Sequence, residues 1–232
     1  MSRLAEQIQQ AVAAFSGCKT PPALIGGVAL AAHQVVRATR DVDFLVDAAD
    51  ADHVHKALIG LGYRCAYRSE DAANYLREDE GLDLLYAHRP MAQRLLTEAK
   101  DRDTALGRVR VISVEGLIGF KLQALTNNPS RLRDRDDILA LLRTHRGRLN
   151  MQEVRGYFVL FDRTEMLDEY LAEITAEKTK RDLQPLVGGD VMATSLSAGS
   201  DLADWVDLME VVEALCPKWP ARTLEKYTVF KL

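Results

Sequence analysis

Cysteine is scarce in this chain, with Cys18, Cys65 and Cys216 the only three in 232 residues. They are odd in number and far apart. No CxxC or Cys/His pair falls at zinc spacing, which argues against a disulfide framework and against a zinc module. No run of about 18 uncharged apolar residues is present to span a bilayer as a helix. The opening Met1-Ser2-Arg3-Leu4-Ala5-Glu6-Gln7 lacks the apolar core of a secretory signal. The expectation is a cytoplasmic protein with no membrane association. A strong charge of one sign is also missing: 30 Lys and Arg against 34 Asp and Glu give a net charge of -4, so no global basic field draws nucleic acid. Aromatics make up 6% and do not interleave with basic residues as in a base-stacking surface. What remains is ordinary globular material, 47% apolar and 28% charged, long enough to bury a core without cross-links.

Strand and helix signals alternate through the first half. Apolar Leu4, Ile8, Val12 and Phe15 keep a helical period, and Pro21-Pro22 breaks the chain before the short buried run Ala23-Leu24-Ile25. Gly26-Gly27 then opens a small-residue helix over about 28–36. Asp41 to Val46 reads as a strand, and a helix over about 51–60 ends near Gly62. Residues 74–78 and 82–86 form a hairpin, with Asp79-Glu80-Gly81 as its turn and the glycine available for positive φ. A helix over 91–99 and a strand over 109–112 follow. Beyond Ser113, a good N-cap, the signals are helical only, at about 114–125, 132–142, 154–161, 166–174 and 202–215. Residues 185–200, rich in Gly and Ser, read as a loop. This order predicts an α+β fold, a mixed sheet packed by helices over residues 1–148, followed by a helical C-terminal region over 149–232.

The chemistry concentrates in residues 24–46 and around Asp83. Strand side chains alternate, so Asp41 and Asp43 share one face roughly 7 Å apart. Val42, Phe44 and Val46 take the other, buried face. Two carboxylates on a half-buried strand repel unless a cation lies between them, and a hard divalent ion such as Mg²⁺, with oxygen ligands and nearby phosphates, meets that need. Asp83, between Leu82 and Leu84, is a third carboxylate able to reach the same ion or act as a base. Gly26-Gly27 closes a strand and opens a helix, where bare backbone N–H groups approach an anion. Glycines for phosphate and aspartates for metal within 20 residues are the layout that nucleotidyl transfer needs. Each signal has a plainer reading: the glycines as a turn, and Asp41 and Asp43 as an edge pair bonded to Arg37 and Arg40.

Gly26-Gly27, the Asp41-Val42-Asp43 strand and Asp83 together resemble the nucleotidyltransferase (DNA polymerase β-like) superfamily. More narrowly, Leu24 to Leu30 with Arg37 to Phe44 is similar to the abortive-infection nucleotidyltransferase toxins of the AbiEii type. So is the pairing of Leu117-Ile118-Gly119-Phe120-Lys121 with Arg133-Asp134-Arg135-Asp136-Asp137-Ile138. The resemblance covers about residues 20–145. It implies a minimal nucleotidyltransferase fold and Mg²⁺-dependent transfer of NMP from an NTP to a macromolecular acceptor, RNA (tRNA foremost) or protein. Toxin action opposed by a cognate antitoxin follows from the same likeness. It further implies that Asp41, Asp43 and Asp83 are catalytic and ligate metal, that Gly26 and Gly27 lie under the phosphates, and that Lys121 neutralises triphosphate charge. Thr39 and Arg40 are placed for phosphate contact, with a salt bridge to Asp43 the other role open to Arg40.

Two readings from other classes stand beside this one. The same fold can bind nucleotide or a partner protein without turnover, and the helix carrying Leu202, Val206, Met209 and Val212 can serve oligomerisation, antitoxin binding or core packing. The arginine-rich stretch from Arg131 to Arg148 reads as an ion-paired helix face more readily than as an RNA surface. His53 and His55 face apart on their helix and are discounted as metal ligands.

Overall fold

The computed structural model describes residues 2–183 and 202–217. Helix α1 (Arg3–Ala14) starts at Ser2, whose Oγ accepts from the Ala5 N–H at 3.2 Å. Of the expected stripe, Leu4, Ile8 and Phe15 are buried and Val12 is half-buried, while Ala11 is buried in addition. Strand β1 (Ala23–Ile25) leads directly into helix α2 (Gly26–Ala32). The helix begins earlier than the sequence predicts because the two glycines belong to it. It also ends earlier, at a left-handed Gln34 (φ 64°), where the Val35 N–H reaches back to the Leu30 carbonyl at 2.9 Å. Strand β2 (Asp41–Asp47) and helix α3 (Ala51–Gly60) fall where predicted.

Strand β3 (Arg64–Arg68) was not anticipated: Arg-Cys-Ala-Tyr-Arg has no apolar alternation, and only its hydrogen bonds to the next strand define it. Strands β4 (Ala72–Arg77) and β5 (Glu80–Ala87) form the predicted hairpin with a shorter turn. Glu78, not a glycine, takes the positive φ of 54°, and Gly81 lies inside β5. Helix α4 (Pro90–Glu98) begins with proline, whose missing N–H is not needed there. Strand β6 (Lys100–Thr104), a charged edge strand, also escaped prediction, and it pairs with β7 (Gly107–Val111).

All these strands form one seven-stranded mixed sheet in the order β3-β4-β5-β2-β1-β7-β6. The β2–β5 and β1–β7 pairs are parallel and the others antiparallel. One face is dry: Val42, Phe44, Val46, Leu82, Leu84 and Tyr75 are buried there. Helices α1 and α3 cover it, with the Phe15 ring edge-on to Phe44 at 5.2 Å and His55 Nδ1 bonded to the Tyr75 hydroxyl at 2.9 Å. The ring of His53 instead packs over Gly17, so the two histidines do part company.

The helical remainder comprises α5 (Val114–Asn127), α6 (Leu132–Thr144), α7 (Met151–Leu160), α8 (Thr164–Leu183) and α9 (Leu202–Leu215). The described residues divide into two compact units, 2–113 with 202–217, and 114–183. The division at Ser113 precedes the expected one at residue 148, so α5 and α6 cluster with α7 and α8. Helix α9 packs on α1 and α2 through buried Leu208, Met209, Val211, Val212 and Leu215. Glu210 Oε2 accepts from the Ser2 N–H at 2.7 Å. The apolar face of α9 is thus core, not a free docking surface. The predicted loop over 185–200 lies outside the described residues. Among the described residues no helix is long and apolar enough to cross a membrane.

Candidate active site

The site grows from one register. Strands β2 and β5 run parallel with Asp43 beside Asp83 and Asp41 beside Gly81, and directly paired residues share a face. Asp41, Asp43 and Asp83 therefore stand on the sheet face opposite Phe44. Strand β4 adds Asn74, paired with Asp83, and its Nδ2 donates to Asp83 Oδ1 at 2.7 Å. That bond holds one carboxylate oxygen and leaves Oδ2 for other work.

Two glycines make room for the carboxylates. Gly26, in a left-handed conformation (φ 62°), lies where a Cβ would collide with the Asp43 carboxylate. At Gly81 a Cβ would strike Asp41 in the same way, so this glycine serves the site and not the turn. A Cβ on Gly27 would come within 2.6 Å of Thr39 Oγ1, which donates to the Asp41 carbonyl at 3.3 Å. The strand-to-helix junction at 26–27 is thus pressed against the segment that delivers the aspartates.

Electrostatics fit a cation on this face. Burial, and next the charge of Asp83, push the Asp41 carboxyl above its ordinary range, while exposed Arg40 opposes them. Carboxylates standing on one sheet face offer hard oxygen donors, which suit a hard divalent ion such as Mg²⁺. Among the described residues, no group of three His, Cys, Asp or Glu side chains is gathered as a ready-made metal cage. The carboxylates share a face and a repulsion, not a common centre.

Lys121 belongs to the other compact unit and is differently placed. It is buried, and its Nζ lies 2.8 Å from both Asp134 Oδ1 and Asp137 Oδ2. Asp134 also takes a hydrogen bond from Arg131 Nε. Burial opposes ionisation of Asp134, but the hydrogen bonds and charges of Lys121 and Arg131 outweigh it and hold the pKa below the carboxylate range. Both aspartates thus close on the lysine, with Arg131 a further donor to Asp134. The arginine-rich stretch is ion-paired as expected, but between helices: Arg135 and Arg143 reach Glu173 of α8 at 2.8 and 3.2 Å, and Arg143 reaches Glu177 at 2.7 Å.

Sequence reasoning missed Asn74 and Gly81. A two-residue turn at Glu78-Asp79 would have found both by counting outward, since it sets Asn74 opposite Asp83 and Leu76 opposite Gly81.

Residues 2–155 match the model of the family described as uncharacterised nucleotidyltransferases. The chain belongs to that nucleotidyltransferase family. No curated protein matches it by sequence. Among solved structures it is similar to ANT(2")-Ia in complex with adenylyl-2"-tobramycin, at 18% identity and a TM-score of 0.54, over 68% of this chain and 96% of that one. A solution structure of the antibiotic-resistance factor ANT(2'')-Ia gives 17% identity and a TM-score of 0.54, over 75% and 97%. At these identities the likeness is one of fold: a nucleotidyltransferase-like mixed sheet with its helices. The family match ends within α7, so α9 lies beyond it.

Proposed function

We propose that this nucleotidyltransferase-family protein is an enzyme that transfers a nucleoside monophosphate from an NTP to a hydroxyl-bearing acceptor. The observation that carries the reading is the in-register pairing of Asp43 with Asp83, with Asp41 on the same face and glycines where side chains would block the carboxylates.

The residues divide the work by position. Asp41, Asp43 and Asp83 would hold Mg²⁺, and Gly26 and Gly27 leave backbone open to the triphosphate. Arg40 precedes Asp41 and acts electrostatically on it, and the motif resemblance assigns it to phosphate contact. When bound, the metal neutralises triphosphate charge and makes the attacking hydroxyl more acidic. The acceptor oxygen forms a bond to the α-phosphorus, the bond from that phosphorus to the bridging oxygen breaks, and pyrophosphate leaves with the electron pair. Asp83 Oδ2, left open by the Asn74 bond at Oδ1, is the carboxylate atom placed to ligate or to take the acceptor proton. Lys121 enters this reading with two aspartates already at its ammonium, so we assign it first to holding its own helical unit together.

An RNA acceptor with tRNA foremost, action as a toxin opposed by an antitoxin, and a cytoplasmic setting extend the reading on the motif resemblance to AbiEii-type toxins. Purified protein and an Asp41→Ala/Asp43→Ala variant, incubated with Mg²⁺, each α-labelled NTP, and bacterial RNA or protein extract, test it. Label should enter an acceptor only with the intact carboxylates. Undiminished labelling by the variant, or none by either protein with every NTP, would sink the catalytic reading.

A further inference from the structure

The carboxylate face does not end at Asp83. Strand pairing carries it outward across β5 and β4 to β3: Asp41 lies beside Gly81, Gly81 beside Leu76, and Leu76 beside Arg64. In the next row Asp43, Asp83 and Asn74 are followed by Tyr67. Tyr67 reaches this face through an irregularity. Cys65 pairs with Tyr75, on the dry face, and the register then shifts so that Tyr67, not Ala66, opposes Asn74. The Cys65 thiol contacts the Tyr67 carbonyl at 3.4 Å across the bulge. A β-bulge beside a site re-aims a side chain, and here it turns an aromatic ring onto the face of the aspartates.

The large side chains on this strip are open. Tyr67 is 56% exposed and Leu76 41%, and Arg64 is exposed as well. On the other flank of β2 the face is closed by buried Ile25 and the start of α2. Among the described residues, β3 and β4 place no acid on this face, since its positions there are Arg64, Tyr67, Ala72, Asn74 and Leu76. Strand spacing sets β3, with Arg64 and Tyr67, about 14 Å from Asp41 and Asp43 on β2 and about 9–10 Å from Asp83 on β5.

Resting on the proposed transfer reaction, we infer that this strip is the acceptor platform and that its occupant is the end of a single-stranded nucleic acid. A base stacks on Tyr67 with Leu76 beside it, Arg64 takes a backbone phosphate, and the terminal hydroxyl reaches the carboxylates. An aromatic ring and a guanidinium, with no acid on this face of β3 and β4, complement a base and a phosphodiester. The pattern escapes a linear reading because its residues come from two strands joined by a bulge.

The test is binding, read separately from transfer. Fluorescence anisotropy of a labelled single-stranded RNA of about a dozen nucleotides is measured with the full chain. Tyr67→Ala should weaken binding about tenfold to a hundredfold, the size of one lost base stack, while Tyr67→Phe retains it. Arg64→Ala should weaken binding and lower the slope of log affinity against log salt by about 0.7, one phosphate contact. Both side chains are exposed, so equal thermal midpoints verify folding. Wild-type affinity in Tyr67→Ala and Arg64→Ala, or no RNA binding by the wild type, would overturn the platform. If RNA binds through Tyr67 but no NTP supports transfer, the platform stands and the catalytic reading falls. If transfer occurs to a protein or amine acceptor and the Tyr67 and Arg64 variants leave RNA binding unchanged, the reverse holds.

Discussion

Two aspartate clusters in this chain have opposite electrostatics. On β2 and β5 the carboxylates share one sheet face, and burial and then the charge of Asp83 push Asp41 above its ordinary pKa. Between α5 and α6, Asp134 and Asp137 close on Lys121, and Asp134 is held below its ordinary pKa. The second cluster is neutralised and buried, so its ionised form stabilises the fold. The first leaves repulsion in place on an open sheet face, an arrangement that costs stability and suits an incoming cation. The same residue type is thus held down by a buried lysine in one unit and pushed up by burial and a like charge in the other.

The largest effect that would break this contrast is loss of the lysine. Lys121→Met leaves two buried carboxylates facing each other and should cost about 3–5 kcal/mol in denaturant unfolding. Adding Asp134→Asn and Asp137→Asn should recover part of it. Unchanged stability in the single variant would deny the cluster its structural role. Next comes Gly26→Ala, which forces a side chain into a left-handed residue at about 1–2 kcal/mol and into the Asp43 carboxylate besides. A lowered melting temperature and lost nucleotidyl transfer are expected together, and a variant with normal activity would remove Gly26 from the site.

The pH dependences have opposite signs. Because the folded pKa of Asp134 is lowered, its stabilisation is present above the unfolded value of about 3.9 and is lost as pH falls through the folded one. Acid unfolding followed by circular dichroism should therefore be shallower in Asp134→Asn. Asp41 is raised, so its contribution is present below the unfolded pKa and is lost as pH rises through the folded value. Asp41→Asn should thus melt slightly higher than the wild type at neutral pH, an advantage that vanishes in acid, while transfer activity is lost. A lower melting temperature at neutral pH would show that Asp41 is held by stabilising partners instead.

Much of this was legible in the sequence, for identifiable reasons. Leu4, Ile8, Val12 and Phe15 keep a helical period, and Asp41 to Val46 alternates, so α1 and β2 could be drawn directly. The common face of Asp41 and Asp43 follows from the pleat alone. Strands β3 and β6 were not legible because edge strands of mixed charge carry no apolar alternation, and their neighbours define them. Gly81 was misassigned to the turn because a glycine after Asp-Glu looks like turn chemistry, whereas Glu78 accepted the positive φ and freed the glycine for Asp41.

Sequence alone determined the elements with strong periodicity, the separation of dry and polar faces on β2, and the residue types available for metal and phosphate. These are local properties, set by alternation, helical period and the backbone freedom of glycine. The tertiary structure decided which distant residues meet: Asp83 beside Asp43, Asn74 on Asp83, Asp134 and Asp137 on Lys121, and Tyr67 turned by a bulge onto the aspartate face. Such pairings depend on strand register and helix packing, in which a shift of one residue moves a side chain to the opposite face.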